Sequence, residues 1–81
     1  MPVVMGLGEV VEYIRRRYGL PRTAKPTSVE VMGYLLVLTF SDGSIALVAF
    51  DQCIEKNKKR LFVFNEGVVA AVAKARPPRG T

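Results

Sequence analysis

The dipeptide Asp42-Gly43 interrupts the most apolar stretch of this chain, which runs from Ser28 to Phe50 and reads SVEVMGYLLVLTFSDGSIALVAF. Asp-Gly between two apolar, β-rich runs is typical of a two-residue hairpin turn of type I′, in which both central residues have positive φ. The sequence therefore predicts a long hairpin whose strands are Ser28–Phe40 and Ser44–Ile54. Gly33, the one glycine inside the first strand, is expected to mark a bulge or a bend.

A two-residue turn fixes which side chains share a face of this hairpin. Phe40 would face Ile45, and alternate residues along each strand then point to opposite sides. Both faces are apolar, whereas a sheet with one solvated face alternates apolar and polar residues. One face carries Met32, Tyr34, Leu36, Leu38, Phe40, Ile45, Leu47 and Ala49, and the other carries Val31, Gly33, Leu35, Val37, Thr39, Ala46, Val48 and Phe50. Both faces must therefore be covered.

Residues 1–20 have the pattern of a capped helix. Three arginines stand in its last turn, Gly19 is placed as a left-handed C′ residue, and Pro21 ends the helix. Residues 2–5 are also compatible with a short strand. The apolar stripe of the helix is formed by Leu7, Val10, Val11, Ile14 and Tyr18.

The second half of the chain predicts one more strand and one more helix. Glu55–Lys59 is a polar, basic loop, and Arg60–Phe64 (RLFVF) is a third strand, antiparallel to the second. Its register is open, so either its two phenylalanines or Leu61 and Val63 face the core. Asn65 is expected to cap a C-terminal helix that ends before Pro77-Pro78.

The predicted fold is therefore a single α+β domain over residues 1–81, of order α-β-β-β-α. A three-stranded antiparallel sheet is built on the central hairpin, and the N-terminal and C-terminal helices lie on one face. Residues 76–81 form a basic tail. We assign the helices to the face of Tyr34, Leu38 and Phe40. The opposite face is left for a second subunit or a ligand, and a second subunit would use Val31, Leu35, Val37 and Val48 as the interface.

The composition argues against catalysis, metal binding and cofactor binding by this chain. It has no histidine and one cysteine, Cys53, which is expected to be buried rather than nucleophilic. No cluster of metal ligands and no nucleotide-loop motif occurs, so we expect no enzyme activity, no metal and no cofactor. No secretory signal or membrane-spanning run is visible, and the expected location is the cytoplasm. The scarcity of Gln, Asn and Trp is typical of a thermophilic protein.

The net charge of +5 suggests a polyanionic partner. Basic residues gather near aromatic ones, and phosphates together with unpaired bases are the natural ligands of such a surface. The phosphate contacts are assigned to Arg15, Arg16, Arg17, Arg22, Lys25, Lys58, Lys59 and Arg60, and the stacking platforms to Phe50, Phe62 and Phe64. Such runs of Lys and Arg are also common as solvated surface that protects against aggregation.

The arrangement of the hairpin Ser28–Phe50, the basic loop Lys56–Arg60 and the strand Arg60–Phe64 resembles the ThermoDBP-related proteins of thermophilic archaea. That resemblance implies binding of single-stranded nucleic acid by an oligomer, in an apolar cleft edged by basic residues. The leading hypothesis is therefore a homo-oligomer, a dimer or larger, that binds single-stranded DNA or RNA without sequence preference. The alternative is a protein assembly module whose second sheet face is a dimer interface and whose charge serves solubility.

Overall fold

The computed structural model describes residues 2–74, which form one helix and seven strands in two antiparallel sheets. The chain is α+β, but the expected order α-β-β-β-α with one three-stranded sheet is wrong. One sheet has the strand order β1-β6-β5 and the other has the order β2-β3-β4-β7. The elements are β1 Val3–Gly6, α1 Leu7–Tyr18, β2 Pro26–Met32, β3 Leu35–Phe40, β4 Ile45–Ala49, β5 Gln52–Lys56, β6 Lys59–Phe64 and β7 Val69–Ala73.

A turn at Gly33-Tyr34 divides the predicted long first strand into β2 and β3. Gly33 has φ +61°, and Met32 pairs with Leu35 across the two-residue turn. A positive φ at the first central residue alone is the sign pattern of a type II′ turn, which joins antiparallel strands without splaying them. The glycine that was expected to bend one strand therefore reverses the chain.

The Asp42-Gly43 turn forms, but with three loop residues instead of two. The N–H of Gly43 donates to the carbonyl of Phe40, Gly43 has φ +89°, and Phe40 lies opposite Ser44. A type I turn followed by a left-handed glycine is the usual three-residue hairpin loop. The predicted pairing of Phe40 with Ile45 is therefore wrong by one residue, and each side chain of β4 faces the other side from the one predicted.

The predicted second strand also breaks, at Phe50-Asp51, into β4 and β5 in different sheets. β5 then pairs with β6 through a turn at Asn57-Lys58, where both residues have positive φ, +51° and +62°. Two consecutive positive φ values define a type I′ turn. The predicted third strand corresponds to β6. It is antiparallel to β5, which is the C-terminal part of the predicted second strand.

The predicted C-terminal helix is a strand in its described part. The apolar residues of the run Val68 to Ala73 fit the period of a helix and also the alternation of a strand. In the structure β7 pairs with β4, and Ala70 and Val72 face the core. Asn65 does not cap a helix, since the described residues that follow it form β7, and its own N–H donates to the Asp51 carboxylate at 2.7 Å. β-branched valines favour a strand, and pairing gives β4 a second neighbour. The rest of that predicted helix and the tail 76–81 lie outside the described residues.

The N-terminal helix is confirmed with a later start, since β1 occupies the positions for which a short strand was the alternative. The Glu9 carboxylate accepts the N–H of Gly6 at 3.1 Å, and Gly19 adopts the left-handed conformation at the C-terminal end. Val10 and Ile14 are fully buried. The Tyr18 hydroxyl donates to the carbonyl of Ala70 at 2.6 Å, which ties the helix to β7.

One apolar core joins the helix to both sheets. The four-stranded sheet contributes its inner face, and β6 contributes two phenylalanines, which settles the open register of that strand. The largest fully buried side chains are Phe40, Phe62, Phe64, Ile14, Leu36, Leu38, Val10 and Val48. The face of Leu38 and Phe40 is covered as expected, but Val48 and Phe50 are buried too. Tyr34, assigned to the covered face, is exposed.

The new turn at Gly33 gives a paired test of backbone conformation. A Cβ added at either Gly33 or Gly8 would have no atom within 4 Å, so neither substitution to Ala meets a clash. Gly33→Ala should lower the free energy of unfolding by about 1–2 kcal/mol, since an L-residue is strained at positive φ. Gly8→Ala, inside α1, should raise it by up to about 1 kcal/mol. Chemical denaturation of both variants checks this, and equal effects would contradict the turn.

The Asp42 loop predicts a pH dependence of stability. The Asp42 carboxylate accepts the N–H of Ser44 at 2.9 Å and its hydroxyl at 3.0 Å, and the first of these bonds is the main reason that the pKa of Asp42 lies below its ordinary 3.8. A lowered pKa stabilises the fold above the unfolded value and ceases to do so as pH falls through the folded value.

Asp42→Asn should therefore be less stable than the wild type at neutral pH. The difference should shrink as the pH falls below about 3.8, because the protonated Asp42 then resembles the amide. Thermal unfolding of both proteins across pH measures it. A difference that is independent of pH would show that the carboxylate charge does not contribute.

Candidate functional site

Four of the predicted phosphate-binding residues line one concave surface at the C-terminal end of α1. We call it the basic groove. Its volume is about 610 Å³, and Arg15, Arg16, Arg22 and Lys25 surround it together with Glu12. The sequence pattern therefore predicted a real convergence of positive charge.

The connector between α1 and β2 is what brings these side chains together. Gly19 reverses the chain, and the buried Ala24 anchors the connector in the core. Ser41 then holds its end: the Ser41 hydroxyl donates to the carbonyl of Thr23, its oxygen accepts the N–H of Lys25, and its own N–H donates to the carbonyl of Lys25. Arg22 and Lys25 are thus fixed relative to the helix by the β3–β4 turn.

Arg15 has a positioning role within the basic groove. Its side chain is only 15% exposed, and its guanidinium pairs with the Glu12 carboxylate and donates to the carbonyl of Ala24 at 2.9 Å. This is the one ion pair among residues 2–74, and it neutralises the single carboxylate of the groove. Arg16, Arg22 and Lys25 remain as exposed cations.

Arg17 is exposed but does not line the groove. Its guanidinium carbon lies 5.7 Å from the centre of the Tyr18 ring, a distance that suits a cation–π contact. Tyr18 in turn is half-buried against the core. Arg17 therefore contributes to the local positive potential rather than to the groove wall.

The second basic cluster lies elsewhere. Lys58 is in the β5–β6 turn, while Lys59 and Arg60 edge a separate cleft of about 750 Å³ that also contacts the first turn of α1. Leu7, Val29 and Leu61 supply the apolar part of its lining. The two clusters thus lie near opposite ends of α1, whose twelve residues span roughly 18 Å.

The three predicted stacking platforms are all in the core. Phe50, Phe62 and Phe64 are buried, and the rings of Phe50 and Phe62 meet edge to face at 5.2 Å. A buried ring offers no face to a base. The sequence alone did not predict which way these rings face, because the register of β6 was open and β4 was expected one residue out of register.

Tyr34 is the exposed aromatic that sequence reasoning did not select as a site. It is 74% exposed at the tip of the β2–β3 turn, with its ring centre 6.2 Å from that of Phe50. Its position next to Gly33 was the available signal, since a two-residue turn exposes both of its central side chains. It lies beyond the far end of β2 from Lys25, and therefore does not line the basic groove.

The four predicted interface residues do not share one face. Val48 is fully buried, and Val31 pairs with Leu36 on the inner side of the four-stranded sheet. Leu35 and Val37 are half-buried on the outer side. The four residues therefore cannot form one contact on a single face of the sheet, because the turn at Gly33-Tyr34 places Val31, and the one-residue slip at the β3–β4 loop places Val48, on the inner face.

No metal-binding chemistry is visible in the described part of the chain. No three His, Cys, Asp or Glu side chains gather there. Cys53 is exposed on β5, whereas burial was expected. The helix of residues 2–74 is neither long nor apolar enough to cross a membrane.

The role of Arg15 predicts an unequal pair of conservative variants. Arg15→Lys keeps the charge but cannot hold Glu12 and the Ala24 carbonyl together, so the free energy of unfolding should fall by roughly 1–2 kcal/mol. Arg16→Lys, one residue along and exposed, should change it by less than about 0.5 kcal/mol. Urea denaturation measures both, and equal values would remove the positioning role.

Comparisons of the chain with protein-family models, with curated proteins and with solved structures find no significant match. The resemblance to the ThermoDBP-related proteins therefore stays a hypothesis. Any functional proposal for this chain must be argued from its own residues.

Proposed function

We propose that this protein is a non-enzymatic, cytoplasmic binder of single-stranded nucleic acid, whose phosphates contact the basic groove. The observation that carries the proposal is the convergence of Arg16, Arg22 and Lys25 on one concave surface whose carboxylate is already paired. Lys and Arg side chains neutralise phosphates and release counterions, which drives binding without regard to sequence.

The dimensions of the groove favour a single strand. Its volume of about 610 Å³ is in the range of small-ligand sites, so it offers room for a short unpaired segment rather than for a duplex. DNA and RNA present the same phosphates, so this surface does not distinguish them.

The buried phenylalanines change how the strand would be held. Phe50, Phe62 and Phe64 are in the core, and no aromatic side chain of the described residues lines the groove. Binding would depend only on contacts between the cations of the groove and the phosphates of the nucleic acid, and it would therefore be weak and strongly dependent on salt. Each phosphate contact contributes about 0.7 to the slope of log K against log salt for single strands.

Two double variants with equal loss of charge test the location of the site. Arg22→Gln with Lys25→Gln removes two cations from the basic groove, and Lys58→Gln with Lys59→Gln removes two from the β5–β6 hairpin. The groove variant should lower the affinity at least about 10-fold and reduce the salt slope by about 1.4, the value for two phosphates. The hairpin variant should bind within about 3-fold of the wild type.

Fluorescence anisotropy with labelled oligothymidylate and oligouridylate, read across a salt series, gives both quantities. Equal losses in the two variants would mean that net charge alone attracts the strand, and the groove would not be a site. A loss confined to the hairpin variant would move the interface to the cleft beside Lys59 and Arg60. A wild-type protein that binds neither oligonucleotide at low salt would end the proposal.

A further inference from the structure

The outer face of the four-stranded sheet, on the side away from α1, is aliphatic over β3, β4 and β7 and open to solvent. Three rungs of paired side chains cross it, and the central rung is Glu30–Val37–Leu47–Ala71, with Glu30 at the β2 edge. Leu47 is 40% exposed and Ile45, in the next rung, is 42% exposed. We propose that this face is the contact between two copies of the chain, packed sheet against sheet.

The distribution of charge selects a second copy over other partners. The strands β2, β3, β4 and β7 contain no Lys or Arg, and Glu30 is the only charged residue on them. Nucleic acid, anionic lipid and acidic peptides would each need cations on the surface that they contact. A face without cations instead lets two chains of net charge +5 meet without direct repulsion.

The shape of the face suits a twofold contact. Aliphatic sheet faces pack on one another at about 10 Å with strands nearly aligned, as in a β-sandwich. A twofold axis along the strands lays β2 of one copy over β7 of the other, so each Glu30 lies at the rim of the contact and does not face a second Glu30. The small residues of β7, with Ala71 opposite Leu47, leave room for side chains of the partner.

The size of the face predicts a dissociable dimer. Strand spacing and rise give a footprint of roughly 19 by 17 Å, or about 300 Å² in projection. Two copies then cover at least about 600 Å² in projection, and the exposed Met32 and Val69 at the margin add relief to that area. This is below the standard interface of about 1,600 Å², so dimers should form reversibly with concentration rather than permanently.

Sedimentation equilibrium of the full chain over a concentration series tests this inference in the absence of nucleic acid. The wild type should pass from the 8.9 kDa monomer to twice that mass as concentration rises. Leu47→Lys, which places a charge at the centre of the face, should weaken association at least about 100-fold. Leu47 is exposed enough for the lysine to reach solvent in the monomer, and circular dichroism verifies its fold.

Ile54→Lys is the matched control. Ile54 is also a mid-strand aliphatic with 40% exposure, but it lies on β5 in the other sheet. This variant should dimerise as the wild type does. If Leu47→Lys fails to fold, Ala71→Lys on the exposed side of the edge strand β7 replaces it and carries the same expectation.

Three results would overturn the inference: a wild type that stays monomeric at its highest soluble concentration, a Leu47→Lys protein that still dimerises, or an Ile54→Lys protein that dissociates equally. The inference does not rest on nucleic-acid binding. The groove variant Arg22→Gln with Lys25→Gln should keep the wild-type association, so the two proposals fail separately.

Discussion

The register between β3 and β4 is the constraint on which the rest of the structure depends. Three loop residues, closed by the left-handed Gly43, place Leu36, Leu38 and Phe40 opposite Val48, Ala46 and Ser44. That pairing collects the inner face against which α1 and β6 pack. It also leaves Val37 and Leu47 on the outer face, so a single residue in the loop length decides which aliphatic side chains are covered.

Local patterns predicted what depends on neighbours in sequence. The helix followed from its apolar stripe and from Gly19, and the basic groove followed from cations that lie within eleven residues of one another in the chain. Such features need no knowledge of strand pairing. The hairpin at Asp42-Gly43 was also predicted, but not the number of residues in its loop.

The features that depended on long-range pairing were not predictable. Val68 to Ala73 fits a helical stripe and a strand equally well, and only the free edge of β4 decides between them. A glycine such as Gly33 is equally compatible with a bend within one strand and with a turn between two strands. The orientation of Phe62 and Phe64 required the register of β6 against β1 and β5, which lies between distant segments. The predicted stacking residues therefore failed for a reason that no local pattern could reveal.

The two surfaces proposed for function lie on opposite sides of the same sheet. The helix side carries the basic groove, because a helix C-terminus favours cations and the connector that follows it adds two more. The outer side has no cations, because none of the four strands contains Lys or Arg, and Glu30 is its one charged residue. A twofold contact through the outer faces would therefore stack the layers as helix, sheet, sheet and helix. The two grooves would then point away from each other, so each would bind its own nucleic-acid strand without electrostatic interference from the other. Both faces of the aliphatic hairpin would be covered in this assembly, which a single helix in one copy cannot achieve.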